Sequence, residues 1–502
     1  MEGIPEITGA VRSHLKIRVR SYMMDHRSLA GVILPAVEIM EILADSVLSA
    51  CPGVDVLSIS DARFDRFIPL EQGRDELECF ADIEYMADGC VRVKLLTRAA
   101  LKGGITRTKE HASMVFGRPF QGDSYPADMA CCVEGVAFEV QAADLYRELV
   151  PFGPSYRNLA GVLYLTKEGA LGAVSGGNIH GESWPLGSPF PLDAAFHAAC
   201  AWGQRYAGFV PFPVGFAARK IFAQTRPDES LICRIAPLPP DGDSLCFDIR
   251  IYRHDGTMCE SVRGLVMKDV SGGAAVPPEW VRRGAEHRYF PSIEKHCRTF
   301  AVVERKAVAP FALQALSPAE SERNSGMGQR RSDGFIAARL CCKRMSRLLS
   351  GNDMDTAPGG ICTIDAEGIR PVCPLTDGSG FVPCSVSHDS RFAFTASGSG
   401  KTGVDVEKLA DRVIKGKRFY MNEAETALSE TSALGDIAAS LRIWSIKECV
   451  SKALDLKLYE AWRRSEVVRV GGSESAVVVD GREYAAWHDQ VDDHLFTLLV
   501  IK

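Results

Sequence analysis

Near the end of the chain, three carboxylates and several cationic and polar groups have the types and order that a metal–diphosphate site needs. Ser387-His388 comes first, then Gly403-Val404-Asp405-Val406-Glu407, then Trp444-Ser445-Ile446-Lys447-Glu448-Cys449-Val450-Ser451-Lys452. Asp405 and Glu407 lie two apart in a short apolar alternation, which on a strand points both to one face. Glu448, in a stretch with helical spacing, supplies a third carboxylate. Hard Mg²⁺ takes such oxygens while retaining water and phosphate oxygens, and there it would neutralise a diphosphate and polarise phosphorus. Glu448 and Lys452 are i,i+4 neighbours, as are Lys447 and Ser451, so Lys452 can offer positive charge beside the metal side of Glu448. Singly, the Glu–Lys pair reads as a surface pair and Asp-x-Glu as a solvated strand edge. Together, with Ser387-His388 upstream, they point to phosphate chemistry.

Arg339, Lys343 and Arg347 repeat every four residues and put three charges on one side of a helix, behind Arg330 and Arg331. Beside the carboxylates, this face is expected to bind a polyanionic cofactor or an acidic carrier.

The first half of the chain holds a different pair. Asp25-His26 precedes the apolar turn Leu29–Pro35 that leads into a helix. An imidazole in a hydrophobic slot suits proton abstraction near neutral pH. Pro191-Leu192-Asp193-Ala194-Ala195-Phe196-His197 opens a second helix, with His197 one turn beyond Asp193 on the same face. An Asp there is ordinarily an N-cap, but a carboxylic acid in a dry tunnel can protonate a leaving hydroxyl.

The elements that position these groups are legible in outline. Residues 12–24 read as a strand and Val37–Leu48 as a helix, followed by strands over 54–67, 76–85, 91–97 and 111–116. One helix followed by strands suggests an α+β unit whose curved sheet wraps its helix. The pattern returns with a short helix over 142–149, strands over 159–165 and 169–175, and a helix over 192–206. Strands then follow over 220–225, 231–235, 245–254 and 264–270. The Gly- and Pro-rich stretch 271–280 marks a boundary. Beyond it, a strand is expected over 297–304, helices over 333–349 and 437–456, and a closing strand over 495–501.

A chain of 502 residues suggests several domains. With 46% hydrophobic and 24% charged residues, it has the composition of globular protein. A net charge of −6 gives no general reason to expect nucleic acid or an anionic membrane as partner. No apolar stretch is long enough to span a bilayer, and the first twenty residues lack the apolar core of a secretory signal. The expected location is therefore the cytoplasm, with the 16 cysteines reduced; no Cys-x-x-Cys array suggests zinc or an iron–sulfur cluster.

The segments SVSHD at 385–389, TGVDVE at 402–407, KRFYMNEAE at 417–425 and WSIKECVSKA at 444–453 resemble the 4′-phosphopantetheinyl transferase family of the larger two-lobed type. FIAARLCCKRM at 335–345 resembles that family's Arg-rich first-lobe helix. The resemblance covers roughly residues 295–500 and implies two α+β lobes with coenzyme A and Mg²⁺ in the cleft between them. Asp405, Glu407 and Glu448 would hold the metal. His388 would approach the 3′-phosphate of coenzyme A, with Arg339, Lys343, Lys447 and Lys452 also contacting the cofactor. A carrier-protein serine would attack the β-phosphate, leaving adenosine 3′,5′-bisphosphate. Glu448, Lys452 and metal-bound water remain alternative routes for the serine proton.

His26 and Asp193, with PFGPSYRNLAGV at 151–162 and PFP at 211–213, resemble the dehydratase domain of polyketide and related fatty-acid synthases, a double hotdog. The likeness spans about residues 12–270. By it, His26 would remove the α-proton of a 3-hydroxyacyl thioester and Asp193 would protonate the departing β-hydroxyl. His197 would orient Asp193 or the hydroxyl, and Tyr156 would line the tunnel. The family commonly has glycine four residues after its histidine, where this chain has Ala30. The other readings of this half are a thioesterase or an inactive structural module.

The two resemblances divide the chain into hotdogs over 12–125 and 126–270, a linker over 271–294 and the transferase over 295–502. They imply an acyl carrier protein partner, in cis within a larger synthase or in trans, and a homodimer is compatible with them. The resemblance suggests the terminal part of an iterative synthase, such as one of the enediyne type. Gly242-Asp243-Ser244-Leu245 resembles a carrier attachment motif but follows Pro-Pro-Asp between strand-like segments and reads as a turn, so the acceptor is expected elsewhere.

Overall fold

The computed structural model describes residues 6–28, 31–100, 106–122, 125–368 and 370–502. They form two compact units. One comprises the described residues up to 122 together with Phe138–Glu286; the other comprises residues 125–137 together with His287–Lys502.

The first unit is a 12-stranded antiparallel sheet around two helices, α1 (Ala36–Ala50) and α2 (Phe190–Tyr206). Its strands lie in the order Ile7–Arg18, Glu76–Met86, Val91–Ala100, Thr106–Phe116 and Ser58–Phe64. The second half continues as Phe212–Ile221, Met258–Lys268, Ser244–Tyr252, Ser230–Asp241, Gly169–Ser175, Leu159–Thr166 and Phe138–Gln141. Each half wraps one helix, which is the double hotdog. The halves join where Ser58–Phe64 pairs antiparallel with Phe212–Ile221.

Both helices are buried on nearly every side, as central helices must be. In α1, Val37, Ile39, Met40, Leu43, Ala44 and Val47 enter the core. In α2, Ala194, Ala195, Ala198, Ala199 and Ala201 are fully buried, so small side chains let the sheet close over the helix. One expected strand is misplaced: pairing covers Phe212–Ile221 rather than 220–225. The ladder shifts register between Pro213 and Gly215, where Pro and Gly mask the strand pattern.

The second unit has two lobes. In one, strands Ser385–His388, Phe392–Ser397, Thr299–Val308 and Cys132–Glu134 form a sheet packed on α3 (Gln329–Leu349). In the other, Lys401–Lys408, His494–Ile501, Arg482–Val491, Glu474–Val479 and Ser465–Arg469 form a sheet on α4 (Asp436–Leu454). Phe290, Phe392, Phe394, Val404, Val406 and Phe496 make one buried cluster across the lobes. The segment 125–137, read from sequence as the start of the second hotdog, instead lends an edge strand to this unit. There Asp128 pairs with Arg347 at 2.7 Å and Glu134 with Arg344 at 2.5 Å. No helix among the described residues is long and apolar enough to cross a membrane.

Candidate functional sites

In the double hotdog, His26 follows a short 3-10 turn, Ser21–Asp25, and its carbonyl accepts from Ile33 N at 3.2 Å. Its ring packs on Phe152 at 4.2 Å and edge-on to Tyr156 at 5.0 Å. Asp193 lies in the first turn of α2 without acting as the N-cap. Its Oδ1 is 3.8 Å from His26 Nε2, and its Oδ2 is 3.0 Å from His197 Nε2. Tyr146, which sequence reasoning missed, holds the far side: its hydroxyl meets His197 Nδ1 at 3.3 Å and accepts from Leu159 N at 2.7 Å. Only tertiary packing brings it there, so no local pattern announces it.

His26, Asp193 and His197 are all buried; His26 Nδ1 has no hydrogen-bond partner, and Asp193 Oδ2 and His197 Nε2 face each other at 3.0 Å without the alignment of a good hydrogen bond. Buried polar atoms left this way cost stability, and functional sites are where such costs are found. Burial pushes the His26 imidazole down to about 4, with His197 adding to the effect against the opposing pull of Asp193, so the ring is neutral at neutral pH. All three groups border a cavity of about 490 Å³, walled by Phe64, Phe67, Phe152, Phe196, Val210 and the Pro211-Phe212-Pro213 segment. An apolar slot with a few convergent polar groups is the usual form of a small-molecule site.

Asp25 ties down the loop that follows the lining residue Phe152. Its Oδ2 accepts from Ser155 N at 3.0 Å and Ser155 Oγ at 2.7 Å, while its carbonyl accepts from Gly153 N. A Cβ on Gly153 would collide with the Asp25 side chain, so the loop can approach only as glycine. Tyr156, expected in the tunnel, is fully buried behind His26 and donates to Glu38 Oε1 at 3.4 Å; it supports the wall rather than bordering the cavity. Burial raises Glu38 to about 7. Ala30 lies outside the described residues.

In the second unit, the SVSH strand and the TGVDVE strand are stitched by alternate serines. Ser385 Oγ accepts from Val404 N at 3.0 Å, and Ser387 Oγ donates to Asp405 Oδ1 at 2.9 Å. Gly403 allows the strand to meet α4, because a Cβ there would run into the Cys449 carbonyl. Asp405 also accepts from Ser445 Oγ at 2.7 Å and from Lys452 Nζ at 3.0 Å. Lys452 further donates to Ser387 Oγ and the Val404 carbonyl. Glu407 pairs with Arg412. Burial raises Glu448 to about 7; Lys452 opposes this, and Asp405 and Glu407 add to it. Glu407 is raised by burial and by Asp405.

These carboxylates repel one another with only part of that charge relieved, and their all-oxygen donor set suits Mg²⁺. They do not bring three ligand atoms within 4.8 Å of one another, and Asp405 is held by two serines and Lys452. Beside them is a recess of about 500 Å³ lined by His388, Glu407, Arg305, Arg330, Arg331, Lys408 and Arg412. Arg305 Nε is buried there without a partner. Arg305 and Arg412 carry no local motif signal and were not foreseen.

Three expected cofactor contacts are corrected. Lys343 is fully buried, 2.9 Å from Glu320, and donates to the Pro358 and Ile361 carbonyls. Arg339 is 4% exposed and donates to Thr363. Lys447 is buried against Glu425 at 2.7 Å and the Tyr420 carbonyl. The basic stripe of α3 thus faces inward, with Lys343 and Arg347 paired to Glu320 and Asp128 and Arg339 bonded only to neutral Thr363. Glu425, from the KRFYMNEAE segment, also caps its own helix through Asn422 and accepts from Val467 N.

Residues 401–499 match the family model of the 4′-phosphopantetheinyl transferase superfamily. Residues 128–276 match that of the polyketide synthase dehydratase N-terminal domain. Similar solved structures include the dehydratase domain of RzxB from Pseudomonas fluorescens, at 17% identity, covering 51% of this chain and 94% of that one with a TM-score of 0.40. A trans-AT polyketide synthase dehydratase domain from Brevibacillus brevis is similar at 15% identity, 52% and 96% coverage and a TM-score of 0.41. The dehydratase domain of the CurF module of curacin polyketide synthase is similar at 17%, 53% and 96%, with a TM-score of 0.40. Comparison with curated proteins finds no match. The chain thus carries two enzyme domains, one of the polyketide-synthase dehydratase type and one of the phosphopantetheinyl transferase superfamily.

Proposed function

We propose that the protein acts twice on carrier-protein substrates: it dehydrates 3-hydroxyacyl thioesters, and it transfers phosphopantetheine from coenzyme A to a carrier serine. The observation that carries the first reaction is the pair His26–Asp193, 3.8 Å apart at the end of an apolar cavity. Neutral His26 takes the α-proton; as the β-carbon–oxygen bond breaks, Asp193 delivers its proton to the departing hydroxyl. The products are an enoyl thioester and water. His197, held by Tyr146, positions Asp193, and Tyr156 backs the His26 ring. A thioesterase is not favoured, because residues 128–276 match the dehydratase family model.

In the second reaction the carrier serine gives up its proton, for which Glu448 is the nearby carboxylate raised to about 7, with Lys452 or bound water as the other routes. The serine oxygen bonds to the β-phosphorus of coenzyme A and the bond to adenosine 3′,5′-bisphosphate breaks. Asp405, Glu407 and Glu448 would hold Mg²⁺, which when bound supplies charge neutralisation on the diphosphate. Lys452 stands ready to meet the same charge, and His388 with Arg330, Arg331 and Arg412 offers the recess for the 3′-phosphate.

The test is intact-protein mass spectrometry in two reactions. Apo-carrier with coenzyme A and Mg²⁺ should gain the phosphopantetheine mass, and a 3-hydroxyacyl carrier should lose one water. Free acid in the second reaction would favour a thioesterase, and no change would leave the hotdog half a structural module.

A further inference from the structure

Cysteines from three separate elements of the second unit meet in one place. Cys342 lies on the inward face of α3, Cys373 in the hairpin strand Val372–Pro374, and Cys384 just ahead of Ser385–His388. Their sulfurs lie within 4.8 Å of one another, the sole such convergence of three His, Cys, Asp or Glu donors among the described residues. All three are free; Cys342 and Cys373 are fully buried, and Cys384 is partly exposed. Tetrahedral zinc, with Zn–S bonds of about 2.3 Å, sets sulfurs about 3.8 Å apart, so a small contraction would complete such a set.

A neighbouring charge fits the same reading. Arg339 stands one turn before Cys342 on α3 and is 4% exposed. It hydrogen-bonds only to neutral Thr363, its Nε has no partner, and it has no carboxylate partner among the described residues. Its guanidinium is close enough to act electrostatically on both Cys342 and Cys384. A buried cation without a counter-ion is costly. Three thiolates, one divalent ion and one guanidinium sum to zero charge, whereas a monovalent ion would leave a buried negative charge. Sulfur ligands exclude Mg²⁺ and select a thiophilic ion.

We propose that Cys342, Cys373 and Cys384 bind Zn²⁺, with Arg339 balancing the charge and the exposed side of Cys384 giving entry and a fourth position for water. Thr395 Oγ1, 3.7 Å from Cys342 Sγ, is placed to support that thiolate. The ion would pin the hairpin to α3 and to the strand carrying Ser387 and His388. Binding itself does not depend on the transfer reaction assigned to that strand.

The test uses reduced full-length protein. Elemental analysis after purification without chelator should find about one zinc per chain. Exchange with Co²⁺ should give thiolate-to-cobalt charge-transfer absorption, and Zn²⁺, but not Mg²⁺, should shield three thiols from alkylation. Cys384→Ser, at the least buried position, should weaken Zn²⁺ binding at least about 10-fold with unchanged circular dichroism, and Arg339→Met should weaken it further from the native value than a surface Arg→Met control. Absence of zinc, of the cobalt band and of thiol protection in wild-type protein, or a disulfide joining two of the three cysteines, would overturn the proposal.

Discussion

His26 Nε2 and Asp193 Oδ1 face each other at 3.8 Å, although one side chain comes from the approach to α1 and the other from the first turn of α2. Each hotdog half therefore supplies one member of the proposed acid–base pair, and neither half alone contains it.

Burial holds His26 down to about 4 from an ordinary 6.5. A base works only when unprotonated, so dehydration should not lose rate as pH falls through 6.5 and should decline only towards about 4. The folded chain refuses a proton that the unfolded chain accepts between these values, so His26 makes the fold less stable as pH falls through that window. A pH profile of kcat/KM, paired with denaturant melts at each pH, checks both signs. An acid limb centred at 6.5 would contradict the neutral, buried histidine.

The Asp25–Gly153 contact should matter to chemistry more than to folding. Gly153→Ala forces Asp25 aside and with it the adjacent His26. Displacement near 1 Å costs on the order of 100-fold in a positioned reaction. Dehydration kcat should fall by about that factor while phosphopantetheine transfer is unchanged. Equal rates for wild type and variant would remove Asp25 from the account.

The basic residues of the transferase unit should divide into two groups. Lys343→Met strips Glu320 of its buried partner and should cost about 3–5 kcal/mol in denaturant unfolding. Arg330→Ala and His388→Ala, at the recess, should leave stability unchanged and raise KM for coenzyme A about 10-fold. A stable Lys343→Met protein with a raised KM would restore the expectation that α3 faces the cofactor.

Why α3 misled is physical. Spacing of four shows that Arg339, Lys343 and Arg347 share a face, but not whether that face meets solvent. The carboxylates that draw Lys343 and Arg347 inward, Glu320 and Asp128, lie on other elements, Asp128 more than two hundred residues away. The same holds for the cysteine cluster, whose members share no short motif, and for Cys132–Glu134, whose partner strand is remote. By contrast α1, α2 and the strand Gly169–Ser175 were legible because each carries its own periodicity. The placement of Asp405 and Glu407 two residues apart on one strand was legible for the same reason, with Asp405 beside Ser387 and Lys452.

The most direct test of two separable active sites is a crossed pair of variants, His26→Ala and Asp405→Ala, each assayed for both reactions by intact-carrier mass spectrometry. His26→Ala should lose dehydration at least about 100-fold and retain phosphopantetheine transfer. Asp405→Ala should lose transfer and retain dehydration. Either variant keeping the reaction assigned to its residue would contradict the account.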